Sequence, residues 1–371
     1  MFILGIETSC DETALALIET RGDGGAFECR VITSLIHSQA SLHSPYGGVF
    51  PMLAKREHEK YLPVLLEKIL GSEVTSSRMQ MKRSPVDAIA VTEGPGLEPA
   101  LWTGITCAED LGKKWSVPVI PVNHMEGHIV GSLLESDAPD GNWQGLKPLP
   151  LPSLALLISG GHTELVKIEN NIADEKNGIG APFRYTIIGA TKDDAVGEAF
   201  DKAARLLGLP YPGGPQISNM AKKAREKGVQ SPITLPRPML HSADLNFSFS
   251  GLKTAVLYAV RDAEKSESFD DTSKQGLARE FEDAVAETLD TKLRTAIEET
   301  GAQSLIIGGG VSANDTLRDR FTATAMKYDL PIYLPSRHIS GDNALMIALA
   351  GALNYAPKEK LHAHGTKKLG N

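Results

Sequence analysis

Leu4-Gly5-Ile6-Glu7-Thr8-Ser9-Cys10-Asp11-Glu12-Thr13 and Leu157-Ile158-Ser159-Gly160-Gly161-His162-Thr163-Glu164 present one pattern twice in a single chain. In each, an apolar strand runs into a turn of small residues and a second strand leaves it. Such turns let backbone N–H groups approach an anion without interference from Cβ atoms. A third cluster, Gly308-Gly309-Gly310-Val311-Ser312-Ala313-Asn314, follows a strand and enters a helix, an arrangement that can receive phosphate or the ribose and base of a nucleotide. One glycine-rich turn says little, because such turns are common for steric reasons alone. Three of them, on strand ends of two similar halves, point to a nucleotide cleft.

Around these turns, short apolar runs alternate with longer amphipathic ones, the α/β pattern. Strands are expected over 2–6, 86–91, 117–122, 153–158, 164–168, 185–188 and 304–307, and helices over 52–70, 104–115, 193–207, 275–300 and 343–355. The stretch 136–152, rich in Pro and Gly, reads as a linker between the halves, 170–182 as a hairpin loop and 232–238 as a Pro-rich connector. The expected division is an N-terminal lobe over 1–148 and a C-terminal lobe over 149–341, with a helix over 342–356 packing back on the first.

Between the first two turns lies His124-Met125-Glu126-Gly127-His128. Four residues of spacing put the two imidazoles on one helix face, half of a first-row metal site. In the metalloprotease pattern His-Glu-x-x-His, the Glu directly follows the first His. Glu126 stands two positions on, roughly 200° round the helix from His124, which argues against peptide-bond hydrolysis. A lone pair of this kind is more often solvated or hydrogen-bonded than a ligand set. Asp342, in Ser340-Gly341-Asp342-Asn343 at the start of a small-residue helix, reads first as a capping residue. It is also the hard oxygen donor that a His pair needs to complete an open, facial site.

On a helical wheel, Val196, Phe200, Ala203 and Leu207 share one face, while Asp194, Glu198 and Asp201 form a stripe of carboxylates on another. A stripe like this is usually the wet side of a helix. A ribose, with two hydroxyl donors, would nevertheless use one carboxylate well. Tyr211-Pro212-Gly213-Gly214-Pro215 marks a fixed turn that would let a ligand lie against bare backbone. Asn246–Lys253 alternates polar and apolar residues like a strand edge before a helix, and its two Phe residues read as core.

With 371 residues the chain can fill two cores. Cys10, Cys29 and Cys107 are odd in number and scattered, which fits a reducing cytoplasm better than a disulfide framework. No apolar run approaches the roughly 20 residues of a membrane span, no signal or transit peptide is visible, and no membrane partner is expected. The net charge of −8 leaves only small basic clusters, so nucleic acid, if handled, would be met through a local patch or a partner's surface.

Together the motifs resemble one family, the tRNA N6-adenosine threonylcarbamoyltransferases (the TsaD family, formerly mislabelled O-sialoglycoprotein endopeptidases). The matching pieces include Gly5–Thr13, Tyr46-Gly47-Gly48-Val49, Glu93-Gly94-Pro95-Gly96-Leu97, Asn123–His128, Ile158–Glu164, Asp193–Asp201, Tyr211–Pro215, Phe247–Lys253, Gly308–Asn314 and Gly341–Asn343. They run in the family's order over nearly the whole chain, and the Tyr46–Val49 segment looks like the bacterial branch. The resemblance implies an actin-like, sugar-kinase-like ATPase (ASKHA) fold with two similar lobes around a nucleotide cleft. It implies one divalent metal per subunit, iron ahead of zinc, held by His124, His128 and Asp342. It places the adenylate part of threonylcarbamoyl-AMP, or ATP or AMP, against Leu157, Ile158, Ser159, Gly160, Gly161, Asp201, Gly214 and Asn314, and makes Asp11 the catalytic candidate. It implies tRNA as acceptor and, among bacterial members, a paralogous TsaB-like partner and a TsaE-like small ATPase. The chain departs from the family pattern at Glu98-Pro99-Ala100-Leu101-Trp102 and in its tail after Pro357.

Three other readings compete. A small-molecule kinase of the same fold superclass would not need the histidines. A metallopeptidase would not need three nucleotide-like loops. A non-catalytic nucleotide-dependent scaffold would tolerate replacement of His124.

Overall fold

In the computed structural model, which describes residues 1–22, 27–135, 141–171, 182–231, 233–265 and 269–370, two sheets are wound in one topology. The first contains β1 (Phe2–Glu7), β2 (Glu12–Arg21), β3 (Glu28–Ser38), β4 (Ala88–Gly94), β5 (Val119–Asn123) and β6 (Gln144–Gly145), in the order β5-β4-β1-β2-β3-β6. The second contains β7 (Ser153–Ile158), β8 (Thr163–Asn170), β9 (Phe183–Ala190), β10 (Ser304–Gly308) and β11 (Ile332–Tyr333), in the order β11-β10-β7-β8-β9. In each, three antiparallel strands follow one another and two parallel strands are added beside the first. The echo between residues 4–13 and 157–164 is thus an echo of architecture: β1 turns into β2 as β7 turns into β8.

The helices of the first half are α1 (Ala40–His43), α2 (Pro51–Leu70), α3 (Glu73–Gln80), α4 (Glu98–Trp115) and α5 (His124–Ser132). Those that follow are α6 (Val196–Leu206), α7 (Gly213–Lys227), α8 (Ser250–Lys265), α9 (Asp271–Thr300), α10 (Asp315–Lys327) and α11 (Ala344–Leu353). Helix α4 begins six residues before its expected start, because Pro99 fits a first helical turn, where no N–H is needed. Helix α7 grows out of what reads as a plain Gly-Gly-Pro turn. Helix α6 starts three residues late, since Asp193 turns away to bind the Ser248 and Ser250 hydroxyls and the Phe249 amide. Phe247 and Phe249 are core residues. Residues 144–145 of the expected linker join the first sheet through β3, while 136–140, 172–181 and Pro232 lie outside the described residues.

Residues 344–351 of α11 are all buried, as an apolar helix without a polar face must be. They pack with β1, β2, β4 and α5 in one cluster. Helix α5 in turn sends Met125, Ile129 and its C-cap Leu133 into a cluster with Ala155, Leu157 and Ile306 of the second sheet. It is therefore the apolar seam between the halves.

The tail crosses the same seam. Leu361 is buried against β1, β4 and α4, and Leu369 against α5 and the second sheet. Between them, the Gly96 amide donates to the Gly365 carbonyl, the His364 amide to the Glu93 carbonyl, and the Lys367 ammonium to the Glu93 carboxylate. Gly94, at φ +151°, is required here, since a Cβ would sit 2.1 Å from the His364 carbonyl oxygen. Among the described residues no helix is long and apolar enough to cross a membrane.

Candidate active site

His124 and His128 reach one point because α5 starts cleanly. The Asn123 side chain accepts from the Met125 and Glu126 amides, so His124 is the first helical residue and His128 lies one turn on. Asp342 arrives from the far end of the chain because α11 lies hard against α5. A Cβ on Gly127 would meet Ile347 at 3.0 Å, and one on Gly131 would meet Met346 at 3.1 Å, so glycines at both positions ease this close approach. Capping of α11 falls to Asn343, whose side chain accepts from the Met346 amide. That leaves the Asp342 carboxylate free.

One Asp342 oxygen lies 3.3 Å from Nε2 of His124 and 3.3 Å from Nε2 of His128. The ligand atoms of all three lie within 4.8 Å of one another. His128 Nε2 is buried without a hydrogen-bond partner, because its short approach to Asp342 lacks hydrogen-bond alignment. A buried polar atom without a partner is costly. Two imidazole nitrogens and a carboxylate around one point, one nitrogen orphaned, fit a first-row divalent cation.

Glu7, which the sequence reading passed over, completes this centre. Its Oε2 lies 3.2 Å from His124 Nδ1 and accepts from the Thr92 hydroxyl, and its Oε1 accepts from the Ser9 amide. A wholly buried carboxylate at the end of β1 was the signal. Burial alone would favour neutral His124, but the Asp342 and Glu7 carboxylates outweigh it and raise its pKa well above the usual range. Burial lowers that of His128. For His162, burial and then His124 and His128 push it down to about 4, leaving a neutral imidazole close enough to feel this centre. Glu126 points elsewhere and accepts from the Asn354 amide at 2.5 Å. Among the described residues, Glu126 is thus not paired with the two histidines.

Beside the centre opens a cavity of about 800 Å³ whose lining includes Gly160, Asp201, Gly214 and Asn314 from the expected set. Leu157 and Ile158 lie wholly buried in β7 behind its wall. Ser159 closes the turn, its amide donating to the His162 carbonyl and its hydroxyl accepting from the His162 amide. Gly160 and Gly161 would leave a Cβ in open space, so bare backbone faces out there.

The carboxylate stripe divides. Lys202 takes Asp194 and Glu198, at 2.7 Å each. Asp201 alone turns to the cavity, where it accepts from the Gly213 amide at 2.7 Å, and burial pushes its carboxyl up to about 6. Asn314 caps α10 through the Leu317 amide and donates to Ser218 and to the buried Glu282. The sequence reading also missed Glu282, which holds Ser218, Arg225, Asn314 and Thr316 together behind the cavity.

Asp11 is tied to the cavity through Tyr211, a lining residue whose hydroxyl donates to it at 3.3 Å. Gly310 links cavity and centre: it lines the cavity, and a Cβ on it would lie 3.9 Å from Cα of Gly341, next to Asp342.

The sequence model of TsaD, tRNA N6-adenosine threonylcarbamoyltransferase, matches residues 30–349. A tRNA N6-adenosine threonylcarbamoyltransferase of Herminiimonas arsenicoxydans is 43% identical over 353 residues, 95% of this chain and 92% of its own. The chain belongs to the TsaD family. Another relative of that name, from Aromatoleum aromaticum, is 42% identical over 97% of this chain and 93% of its own. Among solved structures, full-length HypF in its phosphate- and nucleotide-bound form matches with a TM-score of 0.51 at 12% identity, covering 95% of this chain and 46% of that one. The likeness is one of fold, and the fold of this TsaD-family chain is the actin-like, two-sheet ATPase architecture expected.

Proposed function

We propose that this chain transfers the threonylcarbamoyl group from threonylcarbamoyl-AMP to N6 of the adenosine 3′ to the anticodon in tRNA, releasing AMP. Family membership supports the reaction. The observation that carries the site is the convergence of His124, His128 and Asp342, with His128 Nε2 orphaned, beside the Asp201 cavity. A divalent cation bound by these three residues, iron ahead of zinc, would supply a Lewis acid for the oxygens of the mixed anhydride.

The protein's own residues do the rest. The acceptor is an aryl amine whose lone pair is delocalised into the base, so positioning must supply much of the rate. Asp201 accepts from the ribose hydroxyls, and the Gly160, Gly161 and Gly214 backbone lies against the adenylate. Asn314 and Glu282 fix the wall formed by the start of α10. Asp11 orients the incoming amine and receives its proton. The target base lies in a single-stranded loop, so drawing it into a pocket costs less than extrusion from a duplex.

The lobes span 1–148 and 149–341, with 342–356 returning to the first. With a net charge of −8, the chain relies on a TsaB-like paralogue and a TsaE-like ATPase for part of its tRNA contact in the cytoplasm. The test is AMP release and tRNA modification from threonylcarbamoyl-AMP by the purified protein with such partners. Modification of N6 supports the assignment, and AMP release without modified tRNA refutes it.

A further inference from the structure

Behind Asp11, four polar side chains (Thr13, Gln39, His43 and His58) are wholly buried. Polar groups in such a place cost stability unless paired, and an apolar core would be the default. Here they are paired in one direction. The Phe50 amide donates to His43 Nδ1 at 3.2 Å, and His43 Nε2 donates to Gln39 Oε1 at 3.2 Å. Gln39 Nε2 faces His58 Nδ1 at 3.3 Å, with the Thr13 hydroxyl also on that nitrogen at 2.8 Å. His58 Nε2 then donates to the Cys10 carbonyl at 3.0 Å. Each imidazole has one donating and one accepting nitrogen, so both tautomers are set and both rings are neutral. The Gln39 amide adds a bond to the Asp11 carbonyl at 2.9 Å.

One end of this relay therefore holds the backbone on either side of the Asp11 amide linkage. The other holds Phe50, whose turn brings Gly47 against Arg205 of α6, where a Cβ would lie 3.5 Å from that side chain. We propose that His58, Gln39 and His43 are positioning residues, a buried hydrogen-bond rod that sets Asp11 for transfer and ties it to the Tyr46–Phe50 turn. Fully satisfied networks of this kind specify one arrangement, which an apolar filling would not. The proposal rests on the reading of Asp11 given above.

His58→Leu and His43→Leu keep volume and remove the relay, and His58→Gln keeps a donor for the Cys10 carbonyl. Three quantities are read on each purified protein: single-turnover transfer, adenosine affinity, and hydrogen exchange of the Gln39 and Phe50 amides. Each Leu variant is expected to slow transfer about tenfold or more, as small misplacements do, with adenosine affinity unchanged. Exchange at both amides should rise together when either histidine is replaced. The double variant should be no slower than the worse single, because the two act as one unit, and His58→Gln should recover part of the rate. If a Leu variant fails to fold, His58→Gln and His43→Gln carry the test on the same quantities. Wild-type transfer by the relay variants, or multiplicative losses in the double variant, overturns the proposal. Wild-type transfer by Asp11→Ala removes the reading beneath it, whatever the exchange data show.

Discussion

Glu7 Oε2 and His124 Nδ1 lie 3.2 Å apart, with Glu7 wholly buried at the end of β1. A carboxylate on the far nitrogen of a ligating imidazole fixes its orientation and raises its basicity. Glu7→Gln keeps the shape and the bond from the Ser9 amide, but its NH2 can only donate toward Thr92, and the charge facing His124 is lost. We expect metal affinity to fall about 10- to 100-fold, measured by competition with a chelator, with thermal stability nearly unchanged.

Asp201 has its carboxyl pushed up to about 6 by burial, and only the carboxylate can accept from both ribose hydroxyls. Adenosine, which carries no titrating phosphate, should therefore bind more tightly as pH rises through about 6. Asp201→Asn should flatten that dependence and weaken binding, as calorimetric titration across the range would show. The sign for stability is the opposite. The folded protein holds this proton more firmly than the unfolded chain, so the group favours folding below the unfolded pKa and loses that contribution as pH rises to about 6.

Gly309 sits at φ +91°, and a Cβ there would lie 2.4 Å from the Ile158 carbonyl oxygen. Gly309→Ala combines a left-handed residue with a backbone clash, and should cost at least about 1–3 kcal/mol in denaturant unfolding. Loss of the loop's path between cavity and centre should weaken adenosine binding in the same variant.

Leu369 is buried beneath the far end of the tail, against α5 and the second sheet. Leu369→Ala should destabilise the protein by about 2–5 kcal/mol. Lys367→Met, which takes the nearer ammonium from the buried Glu93 carboxylate and leaves it only Lys358 at 3.8 Å, should also destabilise it. An unchanged unfolding midpoint in both would show that the tail does not brace the seam.

Much of this was legible in the chain. The doubled strand–turn–strand pattern is the doubled sheet topology, and the i, i+4 histidines stand one helical turn apart because Asn123 starts α5. The stripe of Asp194, Glu198 and Asp201 was visible, but not its division, which depends on where Lys202 can reach. Glu7 escaped notice because a strand-end glutamate next to a turn looks solvated until the strand is known to be central. Glu282 sits in a 30-residue helix whose register against Asn314 no local pattern states. Helix α7 was hidden by its opening Gly-Gly-Pro, where turn chemistry outweighs the amphipathic run that follows. The tail's path could not be read, because Leu361 packs against β1, β4 and α4 and Leu369 against α5, elements far upstream in sequence that no local pattern points to.

The most direct measurement is single-turnover AMP release from threonylcarbamoyl-AMP with tRNA, by wild type and by His128→Ala, alongside metal content and adenosine affinity. His128→Ala should bind adenosine as wild type does, retain little metal, and release AMP at least about 100-fold more slowly. A His128→Ala protein that lacks the cation yet modifies tRNA at the wild-type rate would contradict the account.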